Sequence, residues 1–183
     1  MLALWWMKWR LPSVTLRHDR INYWVFLADS FGFRLGMSIV SISTIMPLLL
    51  ATLGASNLVI GLLPALASLG ESLPGTFAAS RIRNRPLKRN WLLWAGAFER
   101  LFLLSNAAGL MLFARTRPEV AVVWLLAAWT LATGSSGMCI PAFHNMLAKC
   151  IPPEHRGGMI GTAGAAAGLA GVLAAQAAGI VLV

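Results

Sequence analysis

The sequence predicts an all-α, polytopic membrane protein with five transmembrane helices. Composition is the first reason. Of 183 residues, 58% are hydrophobic and 11% are charged, and mean hydropathy is +0.72. A soluble domain holds about 45–50% apolar and about 25% charged residues, so this chain has too few charges to cover a water-facing surface. The second reason is continuity: the apolar residues form five long stretches without the period-two alternation of an outer-membrane barrel. The third is charge placement. The 15 Lys and Arg outnumber the 6 Asp and Glu, and most of them fall between the stretches. These observations exclude a soluble enzyme, a disordered tail and a nucleic-acid binder, despite a pI near 11.3. Basic residues in so apolar a chain orient membrane helices. At roughly 20 residues per crossing, the length accommodates about five or six spans.

Residues 1–20 are expected to form a cytoplasmic arm. Its apolar start is too short for a signal peptide and precedes its basic residues, Lys8 and Arg10, instead of following them. Trp5, Trp6 and Trp9 beside those cations suit an interfacial anchor. A transmembrane domain then covers 21–183, with spans at about 21–53, 57–82, 90–114, 119–147 and 157–183. Lys8, Arg10, Arg17 and Arg20 in the arm share one side with Arg81, Arg83, Arg85, Lys88 and Arg89 after the second span, and with Lys149 and Arg156 after the fourth. The opposite side has Arg115 and Arg117. The excess of positive charge places the N-terminus in the cytoplasm and the protein in the plasma (inner) membrane. The last span closes on Gly-Ile-Val-Leu-Val without charge or aromatic belt, so the chain is expected to be truncated.

A rotation of about 100° per residue sorts each span into faces. On the first, Ser30, Arg34, Ser38 and Ser41 share one side; Asp29, Gly32 and Gly36 share another. Asn57, Gly61, Pro64, Ser68, Glu71 and Gly75 line the second, and Thr130, Gly134, Gly137, Pro141, His144 and Asn145 the fourth. Small and polar stripes either pack helices closely or line a watery path. The glycines of the fifth span, with Gly164 and Gly168 in a GxxxG notch, favour packing. Pro64, Pro74 and Pro141 predict kinks. His144 reads as a hydrogen-bonded helix residue, and Cys139 and Cys150 as small buried residues with no zinc spacing or disulfide framework.

Asp29, Arg34, Glu71, Glu99 and Arg100 lie inside the spans. Each costs roughly 2.5–3.5 kcal/mol at a helix centre on insertion scales, so each must face the bundle interior or water. At a rise of about 1.5 Å per residue, Asp29, Glu71, Glu99 and Arg100 share a layer about 12–15 Å from the cytoplasmic ends, and Arg34 lies about 20 Å in. Asp29 and Arg34 are about 140° apart around their helix, and Glu99 and Arg100 about 100°, so partners must come from other helices. Three acids against two bases leave one carboxylate over, and a surplus buried carboxylate can carry a proton. A static buried salt-bridge network is the alternative.

Two stretches resemble the major facilitator superfamily of secondary transporters. Ser80 to Leu92 aligns without gaps with that family's loop G-x-x-x-D-R-x-G-R-[RK]-x-x-L. Arg85, Lys88, Arg89 and Leu92 match; Ser80, Asn84 and Leu87 replace Gly, Asp and Gly. Ile151-Pro152-Pro153-Glu154-His155-Arg156-Gly157-Gly158 is similar to the loop into the family's fifth helix, P-x-E-x-R-G, and carries Pro153, Glu154, Arg156 and Gly157. The resemblance covers about 21–183 and likens the five spans to the first five helices of an N-terminal six-helix bundle. It implies twelve helices in two halves that rock around a midplane site. It also implies that the first loop holds the outward-facing state, with Asn84 offering a hydrogen bond where the family has a charged Asp. The arginine that many proton-coupled members carry early in helix four has no counterpart in Trp129-Thr130-Leu131-Ala132.

The expected function is therefore secondary transport of a small solute by alternating access. Arg34, Ser38 and Ser41 are the candidate solute contacts or central ion pair. Asp29, Glu71, Glu99 and Arg100 are the candidate gating or coupling layer. The expected partners are the lipid bilayer, the solute, and protons or a cation as coupling species, with no nucleic acid. No metal, cofactor or catalytic residue is expected, because no nucleophile–base pair or metal cluster stands in the sequence. The alternative is a non-transporting membrane scaffold or accessory subunit that acts as an oligomer.

Overall fold

The computed structural model describes residues 16–40, 42–43, 45–83 and 88–182, and all of its regular structure is helical. In chain order the helices are α1 (Leu16–Ile39), α2 (Ile45–Thr52), α3 (Asn57–Ile82), α4 (Arg89–Phe113), α5 (Pro118–Cys150) and α6 (Pro153–Leu182). Arg17 and Arg20 thus belong to α1 and not to a separate arm; the expected anchor of Trp5, Trp6 and Trp9 lies outside the described residues.

The stretch 21–53, expected as one span, comes as two helices. Pro47 gives a reason. In a continuous helix its ring would strike the carbonyl of Ser43, four residues back. As the third residue of α2 it sits where the backbone N–H lacks an intrahelical partner anyway. Ser38 adds to the break, its hydroxyl donating to the Leu35 carbonyl at 2.8 Å.

α2 ends in a glycine turn. Gly54 takes φ +81°, its N–H donates to the Ala51 carbonyl and that of Ala55 to the Leu50 carbonyl, both at 3.0 Å. This paired closure satisfies the last carbonyls of α2 and needs a left-handed residue where Gly54 stands. Ser56 then caps α3 by accepting from the Val59 N–H at 3.5 Å. Pro118 and Pro153 open α5 and α6, with Glu119 and Glu154 in the first turns, so the missing N–H costs nothing and the acids meet the positive end of the helix dipole.

α3, α4 and α5 are long and apolar enough to cross a membrane. Five such helices were expected. α1, with 24 residues, has the length but falls short in apolarity, since it carries Asp29 and Arg34 besides its charged start; α6, with 30 residues, has the length and runs from Met159 to Leu182 without an Asp, Glu, Lys or Arg.

The chain forms two compact units, Ile39–Met146 and Met1–Ser38 with Leu147–Val183. In the first unit α5 is central: half of its most apolar stretch is buried, against 11% in α3 and 17% in α4. A core of Met46, Leu50, Leu63, Ala67, Val122, Leu125 and Trp129 ties α2, α3 and α5 together, with Leu103 and Leu110 of α4 packed against it. Leu93, Trp94, Phe98, Leu101, Leu104, Met111 and Leu112 of α4 point away from it, exposed, as a lipid-facing surface requires. The second unit holds α1 and α6.

Candidate functional site

Within Ile39–Met146, two side-chain hydrogen bonds set the register of α4 on α5. Trp91 Nε1 donates to the Met138 carbonyl at 3.0 Å, and Trp124 Nε1 to the Ser105 carbonyl at 2.9 Å. The partner number falls as the first rises, so the helices are antiparallel, and even spacing puts Glu99 level with Thr130. α3 and α5 run parallel: Gly70 lies against Thr130 and Thr133, and Gly75 against Gly137. Glu71 therefore lies level with Thr133 to Gly137 of α5, within about a turn or two of the level of Glu99. Alternating direction through α3, α4 and α5 is the pattern of successive membrane crossings.

Within that level the side chains diverge. Glu99 is 9% exposed, on the face of α4 that also buries Ala95, Gly96, Asn106 and Gly109. Arg100, next in sequence, is exposed, and its Nη1 donates back to the Gly96 carbonyl at 2.9 Å. Glu71 is exposed while its backbone carbonyl lies against Gly137 so closely that a Cβ there would overlap it.

In the other unit, Arg34 and Ser38 of α1 are exposed and lie against α6 at two glycines. A Cβ on Gly164 would come 3.5 Å from Arg34 Nη1, and one on Gly171 would come 2.5 Å from Ser38 Oγ. Gly168 has nothing within 4 Å. The expected GxxxG notch is thus replaced by Gly164 and Gly171, two turns apart, which make room for polar side chains. Asp29 is exposed. Among the described residues, Asp29, Arg34 and Glu71 take part in no ion pair. Ser41 lies outside the described residues.

The sequence matches the Major Facilitator Superfamily over residues 17–183. The chain belongs to the major facilitator superfamily. Neither a curated protein nor a solved structure matches it. Members of this family are integral membrane proteins that transport small solutes and are not enzymes.

The first superfamily loop motif is described only in part, since Asn84 and Arg85 lie outside the described residues. Ser80 donates to the Phe77 carbonyl at 2.8 Å. Arg81 stacks 4.8 Å over the Phe77 ring. Lys88 is the residue before α4, with no side-chain cap, and Arg89 opens the helix, exposed. The second motif has a mechanical role. Arg156 Nε donates to the Ile151 carbonyl at 2.8 Å and Nη2 to the Ala148 carbonyl at 2.7 Å. A cation thus ties off the negative end of α5. Pro153 and Glu154 start α6, and a Cβ on Gly157 would meet open space.

Two expectations are corrected here. His144 is exposed and packs edge-to-face on Phe143 at 5.8 Å, without the expected hydrogen bond among the described residues. Cys139 and Cys150 are half-buried. On α4 the structure adds polar residues to Glu99 that were not expected. Asn106 is 6% exposed with neither amide atom partnered, and Trp129 Nε1 is buried without a partner. The signal was present: Gly96, Glu99, Asn106 and Gly109 recur at helical spacing, as the polar residues of the neighbouring spans do.

Proposed function

We propose that the protein is a secondary active transporter of the plasma (inner) membrane, N-terminus in the cytoplasm, which moves a small solute by alternating access. Family membership supports transport. The observation that carries the assignment to particular residues is that Asp29 and Glu71 stand well inside α1 and α3, and Arg34 in the last two turns of α1, without ion pairs among the described residues. Charged groups in that position mark substrate and ion pathways.

Arg34, Ser38 and Ser41 are the solute contacts or the central ion pair. Asp29, Glu71, Glu99 and Arg100 form the gating or coupling layer, with protons or a cation as the coupling species. The loops at Ser80, Asn84, Arg85, Lys88 and Arg89 and at Pro153, Glu154, Arg156 and Gly157 set the cytoplasmic ends of the helices. Arg156 does so by clamping α5 to the start of α6.

The test is solute uptake and efflux in a transport-deficient host and in proteoliposomes. Arg34→Ala is expected to abolish flux; unchanged flux would remove Arg34 from the pathway. Glu71→Gln and Glu99→Gln are expected to change the dependence of flux on pH. An unaltered profile in both variants would remove the carboxylates from coupling.

A further inference from the structure

We infer that the solute is an anion, carrying a carboxylate or a phosphoryl group, and that Arg34 is its anchor. This rests on the transporter reading. A guanidinium cannot shed its proton in a protein, so Arg34 keeps its charge wherever its helix lies, unlike an acid or a lysine. Where its helix lies within a membrane, such a permanent charge requires a counter-charge or water. The structure gives Arg34 no ion pair and no hydrogen bond among the described residues, which leaves its five donors without a partner there.

The acids of the same unit do not meet this need. Asp29 is on α1 but about 140° around it, and Asp19 is on α1 about 22 Å further back along the helix. Glu154, in the first turn of α6, is ten residues from Gly164, about 15 Å along the helix. The remaining charged groups near the start of α6 are Arg156 and His155, and Arg156 is spent on the Ala148 and Ile151 carbonyls.

The surroundings of Arg34 suit a planar oxyanion. Gly164 meets Nη1 at 3.5 Å and Cζ at 4.0 Å from the position a Cβ would take, so the helix surface beside the guanidinium is flat backbone. A larger residue there would occupy the space next to Nη1. Ser38, one turn along α1, keeps its hydroxyl over Gly171, a second neutral group on the same side. A fork of parallel N–H donors fits two oxygens of one carboxylate or phosphoryl group.

The experiment is flux in proteoliposomes of zwitterionic lipid. The panel holds small carboxylates and phosphate monoesters, each with a matched neutral amide or alcohol, and acetate and inorganic phosphate serve as competitors. The expected result is transport of an anion but not its neutral match. Arg34→Gln should lower that flux at least tenfold, and Arg34→Lys, which keeps the charge without the fork, should lower it less. Gly164→Leu should also lower it, and Gly168→Leu should leave it within twofold; elution as a single species on size exclusion excludes misfolding. The carboxylate and phosphate arms separate the two sources of the group. Transport of a neutral or cationic solute, with Arg34→Gln within twofold of the parent, overturns the anion assignment and leaves the transporter reading intact. If the parent protein moves no solute of any class, the transporter reading fails and the anion assignment falls with it.

Discussion

The α3–α5 seam and the α1–α6 seam both use glycine, and they use it for opposite purposes. Gly137 of α5 lies on the backbone of Glu71, Gly75 lies on the backbone of Gly137, and Gly70 meets the Thr130 carbonyl and the Thr133 hydroxyl. Here glycine lets two backbones touch, which is how membrane helices associate when burial from water cannot drive them together. Gly164 and Gly171 of α6 meet side chains of α1, a guanidinium and a hydroxyl. There glycine keeps a polar surface open. A stripe of small residues therefore has no single meaning; the atom across from it decides.

Substitutions that break one seam and spare the other test this contrast. The largest effect is expected at Gly137. A Cβ there overlaps the Glu71 carbonyl, which is backbone and cannot swing aside, so Gly137→Val should cost about 3 kcal/mol of stability. The midpoint of thermal unfolding in detergent measures it, and an unshifted midpoint would mean the seam is not held by backbone contact.

Next come the chain reversals that close each unit. The α5–α6 joint adds two bonds from the Arg156 guanidinium to its backbone bonds, where the α2–α3 turn closes on the backbone bonds of Gly54 and Ala55 with Ser56 capping α3. Arg156→Ala should cost about 1–2 kcal/mol, the bonds being charge-assisted but partly screened by exposure. It should also speed proteolysis between Cys150 and Pro153. Gly54→Ala places a Cβ at φ +81° and should cost about 1 kcal/mol, for conformational reasons alone, since nothing lies within 4 Å. The smallest effect is expected at Gly164→Ala. Its Cβ reaches only ordinary contact with a flexible arginine, and unfolding should shift by less than about 0.5 kcal/mol. A loss there as large as at Gly137 would show that α6 packs by backbone contact after all.

Residue order alone was enough to mark Asn57–Ile82, Arg89–Phe113 and Pro118–Cys150 as helices close to their observed bounds, because hydropathy and length act locally. It did not show that Pro47 would divide the first stretch, though the proline is plainly visible. Family membership was legible from Ser80 to Leu92 and Ile151 to Gly158, short loops whose residue types repeat across a fold. The candidate site was legible as a set of charges and not as an arrangement. Helical rotation separates Glu99 from Arg100 by about 100°, but it cannot say which of the two directions holds a neighbour.

The sequence by itself determined that this is an all-α membrane chain and which residues carry charge into its helices. Those properties follow from the transfer free energies of individual side chains. Only the tertiary structure decided that Glu99 is buried and Arg100 is not, that Gly164 and Gly171 receive Arg34 and Ser38, and that Asn106 is enclosed. A helix face acquires its environment from the helix laid against it, and that partner is set by packing across the bundle.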